Sequence, residues 1–217
     1  MSGAVSEGEP ARPRGNGLGG IAPVAVAAAL LFWFLSMVPT IGAGERLIWS
    51  YDWVPSQGIS LAFMVDGLSL TFALLITGIG ALVLLYSNSY LAGHAQYARF
   101  ALFLTAFMLS MLGLVLADDL ILLFVFWELT TVTSYLLIGF SHGVEKSRRN
   151  ALQALFVTGA GALAFLAGLI LIGFAAGTTR ISEILATGDA LTEHALFVPM
   201  LILLLAGTFT KSAQVPF

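Results

Sequence analysis

The chain has 217 residues, of which 59% are hydrophobic and only 10% charged, against roughly 25% charged in soluble domains. A formal net charge of −3 is too small to draw in nucleic acid by long-range electrostatics. Without cysteine, disulfides, thiolate metal sites and cysteine nucleophiles are excluded.

Residues 1–20 are polar and rich in Gly, Pro and Arg, a composition with too little apolar surface to fold, and read as a disordered tail. Ile21 to Pro39 is 19 residues without a charge, close to the ~20 that cross a bilayer and longer than the 7–15 of a signal-peptide core. It reads as a retained span, with a cleavable signal as the alternative because Gly42-Ala43-Gly44 resembles a small-residue cleavage site. Between it and the next span, Ile59, Leu61, Phe63 and Val65 alternate with Ser60, Ala62 and Met64 behind a Pro55-Ser56-Gln57-Gly58 turn, which predicts a strand in an external hairpin.

Five further apolar stretches follow, Gly67 to Tyr86, Phe100 to Ala117, Leu120 to Phe140, Ala151 to Ala176, and Leu196 to the end. Ile181 to Leu185 has apolar residues at the spacing of a short surface helix. The fold class is therefore an all-α integral membrane protein of about six transmembrane helices with an external β-hairpin. The last helix is expected to be discontinuous, since Pro216 follows Lys211 at a position that breaks a helix. Alternate connecting segments hold Arg12, Arg14, Arg99, Lys146, Arg148 and Arg149 against Arg46 and Arg180 alone, which puts the N-terminus in the cytoplasm. The chain divides into the tail (1–20), a first span with hairpin (21–64) and two further regions, 65–118 and 119–217.

Two ionisable residues lie deep in apolar spans. Glu128 is eight residues past Leu120, roughly 12 Å along the helix, where a carboxylate is costly unless it faces protein or a water-filled cavity. It reads as a proton relay, or as a protonated acid hydrogen-bonded to hydroxyls such as Thr130, Thr131, Thr133 or Ser134. Lys211 is 15 residues past Leu196, roughly 22 Å along. It reads as part of an ion path beside irregular backbone, or as an end-of-span anchor that snorkels. Asp66, Asp118 and Asp119 stand at helix starts and read as caps. His94, His142 and His194 have no metal-site spacing, and no cofactor motif is evident. Gly173 and Gly177 fit GxxxG at a helix end, for packing or termination.

Three stretches resemble one family. Phe126-Trp127-Glu128-Leu129-Thr130 within Leu120 to Phe140, Asp66-Gly67-Leu68-Ser69-Leu70, and Thr210-Lys211-Ser212-Ala213-Gln214-Val215-Pro216-Phe217 look like motifs of the large A subunit of Mrp-type multisubunit sodium/proton antiporters. The likeness covers Val65 to Phe217. It implies that Glu128 and Lys211 correspond to the family's glutamate and lysine, which together drive proton movement. It also implies a secondary transporter subunit in the cell membrane, not an enzyme, whose partners are other antiporter subunits, the bilayer, protons and sodium ions. Membrane-arm subunits of NADH:quinone oxidoreductase share the superfamily and are the rival reading. Leu129-Thr130 after Trp-Glu and Val215-Pro216-Phe217 after Lys-Ser-Ala-Gln favour the antiporter. Because family members continue for many more helices, the 217 residues are expected to be an N-terminal part that does not transport alone.

Overall fold

The computed structural model describes residues 17–54, 59–94, 96–187 and 191–215. Its elements are α1 (Gly17–Gly42), β1 (Leu47–Val54), β2 (Ile59–Val65), α2 (Gly67–Tyr90), α3 (Tyr97–Leu116), α4 (Leu120–Ile138), α5 (Glu145–Ala176), α6 (Ile181–Ala186) and α7 (Phe197–Lys211). The six apolar stretches all form helices. Five are long and apolar enough to cross a membrane, while α7 has 15 residues, about 22 Å at 1.5 Å per residue. The tail expected over 1–20 lies outside the described residues up to 16, and α1 takes in residues 17–20.

Consecutive helices pack side by side, α1 against α2 and α3, α3 against α4, α4 against α5, and α7 against α5. Phe34, Met37, Ile41, Val65, Leu70, Ala73 and Leu112 form one buried cluster, and Leu120, Phe165 and Leu169 another. The outward faces are equally apolar, with Phe32 70% and Phe174 77% exposed. In water such faces would be a liability; against acyl chains they are the expected exterior of a multi-pass membrane protein.

Close approach between α5 and α7 depends on glycine. A Cβ at Gly161 would collide with the Thr210 side chain, and one at Gly207 would collide with Phe165. Small residues at both positions let the backbones meet, the usual basis of helix association where lipid removes the hydrophobic driving force. Gly177 is the C-cap of α5 with φ of 69°, so of the two roles open to the Gly173–Gly177 pair, Gly177 takes termination.

The hairpin is present as β1 paired antiparallel with β2, with Leu47 opposite Val65 and Tyr51 opposite Leu61; residues 55–58 of the expected turn lie outside the described residues. Ser60, Ala62 and Met64 are the alternating set that is buried, together with Val65. Leu61 and Phe63 are only partly covered, and Phe63 meets Phe126 with ring centroids 6.1 Å apart. The Ala62 carbonyl accepts from Asp118 N at 2.8 Å, which ties the hairpin to the start of α4.

Two of the acidic residues at helix starts, Asp118 and Asp119, add long-range bonds to local chemistry. Asp66 and Ser69 form a capping box, with Ser69 N donating to Asp66 Oδ1 at 2.9 Å and Asp66 N donating to Ser69 Oγ at 2.8 Å. Asp119 caps α4 by accepting from Ile121 N and Leu122 N, and also accepts from Thr179 Oγ1 at 2.6 Å. Asp118 turns the other way and receives Ser182 N at 2.7 Å and Ser182 Oγ at 2.8 Å. Both carboxylates are fully buried, and together they fasten the start of α4 to the start of α6.

Candidate functional site

The site forms where α4, α5 and α7 meet. α4 presents Trp127, Glu128 and Thr131 within little more than one turn, so their side chains fan over neighbouring parts of its surface. Lys211 is the last residue of α7, and helical geometry ends immediately after it: Ser212 is the C-cap and Ala213 has φ of 50°, a left-handed conformation uncommon for a residue with a Cβ. Pro216, on which the expected break rests, lies outside the described residues.

Lys211 reaches across to α4. Its Nζ donates to Thr131 Oγ1 at 2.6 Å and to the Trp127 carbonyl at 3.3 Å, and lies 5.4 Å from the centre of the Trp127 ring. Thr131 is seven residues before the end of α4, roughly 10 Å along the axis, so the ammonium sits within the bundle and does not snorkel to its rim. The Trp127 ring is itself held, stacked on Phe165 of α5 at 4.2 Å between centroids.

Glu128 is one turn from Thr131 on the same helix. Its Oε1 is buried and has no hydrogen-bond partner among the described residues. The threonines that might have satisfied it turn back on their own helix: Thr130 Oγ1 donates to the Trp127 carbonyl and Thr133 Oγ1 to the Leu129 carbonyl, each at 2.7 Å. Among the described residues the hydrogen bonds of the Lys211 ammonium are with Thr131 and Trp127. A buried carboxylate oxygen without a donor is costly unless a proton or water shares the site.

Two cavities that Lys211 lines carry polar residues in otherwise largely apolar walls. One, of about 200 Å³, includes Thr131, Ser134, Tyr135 and Thr158 in its lining; the other, of about 330 Å³, includes Asn150, Gln153, Thr158 and Thr210. Both have the room and the polar groups that water requires. The roles of Thr158 and Phe165 had no sequence signal, since each depends on which face of α5 turns toward α4. His94, His142 and His194 form no metal cluster, and none of three or more His, Cys, Asp or Glu exists among the described residues.

The family described as NADH:quinone oxidoreductase/Mrp antiporter, TM, matches residues 117–217, and the NADH-Ubiquinone oxidoreductase (complex I), chain 5 N-terminus, matches residues 53–101. The chain is 42% identical over 192 residues to the A1 subunit of the Na(+)/H(+) antiporter of Staphylococcus haemolyticus, covering 88% of this chain and 24% of that protein. It is 44% identical over 201 residues to the A/B subunit of the "Probable K(+)/H(+) antiporter" of Rhizobium meliloti, covering 92% of this chain and 20% of that one. A chain in the solved Mrp complex of a Dietzia species superposes with a TM-score of 0.82 and 36% identity, over 92% of this chain and 22% of its own length. The chain thus spans about a quarter or less of the length of these relatives. On these matches, residues 117–217 carry the membrane region described as NADH:quinone oxidoreductase/Mrp antiporter, TM, and the chain as a whole, a bundle of apolar helices, resembles part of the A subunits of Mrp-type antiporters.

Proposed function

We propose that this chain contributes part of a proton path to a multisubunit cation/proton antiporter of the cell membrane, with Glu128 and Lys211 as the groups that exchange protons. The observation that carries the reading is a buried Glu128 Oε1 without a hydrogen-bond donor, one helical turn from the hydroxyl that holds Lys211. A carboxylate oxygen that is buried without a donor is costly while charged, and a proton on it relieves that cost. Loss of that negative charge weakens the hold on the Lys211 ammonium, which rests on neutral acceptors. The end of α7 and the two cavities that Lys211 lines give the ammonium somewhere to move and room for water by which to pass a proton on. Irregular backbone beside a charged group at membrane depth is tolerated where it lines a cavity.

Sodium as the exchanged cation, other antiporter subunits as partners, and a cytoplasmic N-terminus belong to the same proposal, as does the division into an N-terminal region (65–118) and a translocating region (119–217). The excess of Lys and Arg in alternate connections supports the orientation. The experiment is sodium-dependent proton flux in everted vesicles holding the complete assembly. Glu128→Gln is expected to abolish exchange while insertion is unchanged; normal exchange in that variant would remove Glu128 from the path.

A second reading, a proton-pumping membrane subunit of NADH:quinone oxidoreductase, is favoured by one finding, the match of residues 53–101 to the chain 5 N-terminus of that enzyme. Proteins co-purifying with the chain separate the two. Redox subunits with NADH oxidation support the enzyme, and small membrane subunits without it support the antiporter.

A further inference from the structure

At the end of the bundle where α3 and α5 begin and α4 stops, Arg99, His142 and Arg148 line a cavity of about 220 Å³. Arg99 is fixed in it. Its Nη2 donates to the Phe140 carbonyl at 2.8 Å and to Gln96 Oε1 at 3.0 Å, and lies 3.4 Å from His142 Nδ1, while its guanidinium sits 5.0 Å from the centre of the Phe140 ring. Its Nε is buried with no hydrogen-bond partner among the described residues. Arg148 approaches from α5 and donates from Nη1 to the His142 carbonyl at 2.6 Å. Two guanidiniums therefore converge on one short segment, and among the described residues no carboxylate lines the cavity. Cations brought together without a counter-charge repel each other and leave donors unused; an anion resolves both.

The remaining lining identifies the anion. Beside the cations the wall becomes apolar, with Phe103 of α3 and Leu136 of α4, both inside the membrane-spanning helices. A cationic rim above an apolar wall at the end of a span matches an amphiphile with an anionic head. Basic pockets between membrane helices take phosphate headgroups, and the planar fork of arginine fits phosphate oxygens in pairs. We propose that this cavity binds the phosphodiester headgroup of an anionic phospholipid, with Arg99 and Arg148 on the phosphate and an acyl chain along Phe103 and Leu136. Lys146 and Arg149 are exposed and lie outside the lining. This inference is independent of the roles proposed for Glu128 and Lys211.

Native mass spectrometry of the delipidated full chain, titrated with phosphatidylglycerol, phosphatidylcholine or inorganic phosphate, tests it. The expected result is phosphatidylglycerol binding about tenfold tighter than phosphatidylcholine, lost in Arg148→Gln and only partly restored in Arg148→Lys, which keeps the charge without the planar fork. Lys146→Gln, which removes the same charge outside the cavity, is expected to bind like the unaltered chain. Equal weakening by Arg148→Gln and Lys146→Gln would mean diffuse attraction and overturn the site, as would equal binding of the two lipids. Complete displacement of phosphatidylglycerol by millimolar inorganic phosphate would overturn the lipid assignment in favour of a soluble phosphate. Because Arg148 is exposed on the first turn of its helix, circular dichroism of Arg148→Gln is expected to match the unaltered chain, and a collapsed spectrum would show the residue to be structural and overturn the proposal.

Discussion

Lys211 Nζ lies 2.6 Å from Thr131 Oγ1, joining the last residue of α7 to the middle of α4 across 80 residues of sequence. On the proposed path this hydroxyl sets where the ammonium rests. Thr131→Val keeps the shape and removes the acceptor, and is expected to lower exchange by the complete assembly about tenfold, the usual worth of a hydrogen bond to a charged group. Thr131→Ser should keep most of it. Flux through Thr131→Val equal to that of the unaltered protein would show the contact to be idle.

The α5–α7 seam should tolerate no added bulk. Gly161→Val forces a side chain into Thr210 and is expected to destabilise the chain by about 1–3 kcal/mol, read as a fall in the thermal midpoint in detergent. Gly159→Val is the control, since a Cβ there meets nothing within 4 Å. If both variants melt alike, helix propensity alone accounts for the loss and close approach is not the cause.

Asp119 does two things, capping α4 and receiving the Thr179 hydroxyl. Asp119→Asn retains an oxygen for the cap, whereas Asp119→Ala leaves buried amides without an acceptor. The alanine variant is expected to lose about 1–2 kcal/mol more than a cap at an exposed helix start would suggest, since burial adds the cost of unsatisfied donors. Chemical unfolding of the two variants side by side gives the comparison, and an asparagine variant as weak as the alanine one would shift the weight from the cap to the charge.

Asp66 carries a pH signature. Burial alone would raise its pKa, but hydrogen bonds from the Ser69 and Leu68 amides and the Ser69 hydroxyl, with Arg46 nearby, outweigh this and hold it below the ordinary carboxylate value. A carboxyl with a depressed folded-state pKa stabilises the fold above its unfolded value of about 3.9, and loses that contribution as pH falls through the lower folded value. Asp66→Asn should therefore flatten the acid limb of the stability curve below about pH 4, leaving the neutral region reduced by the lost charge contribution. An unaltered acid limb would assign the acid sensitivity to other carboxylates.

The number and placement of the apolar helices were legible in the sequence because membrane insertion depends on local hydropathy, summed over a contiguous stretch. The caps at Asp66 and Asp119 were legible for a similar reason, since each acts on amides two or three residues away. The position of Glu128 along α4 followed from counting residues along one helix. What Lys211 touches did not, for spacing along α7 left its anchor and interior roles open, and only packing of α7 on α5 beside α4 set its Nζ against Thr131 and Trp127. The same holds for Asp118, whose partner Ser182 is 64 residues away, for the burial of Ser60, Ala62 and Met64 in β2, and for the meeting of Arg99 with Arg148. In a bilayer both the inner and outer faces of a helix are apolar, so hydrophobic periodicity no longer marks the inward face. Which polar groups meet is then decided by close packing at small residues such as Gly161 and Gly207, through contacts between helices that are distant in the chain.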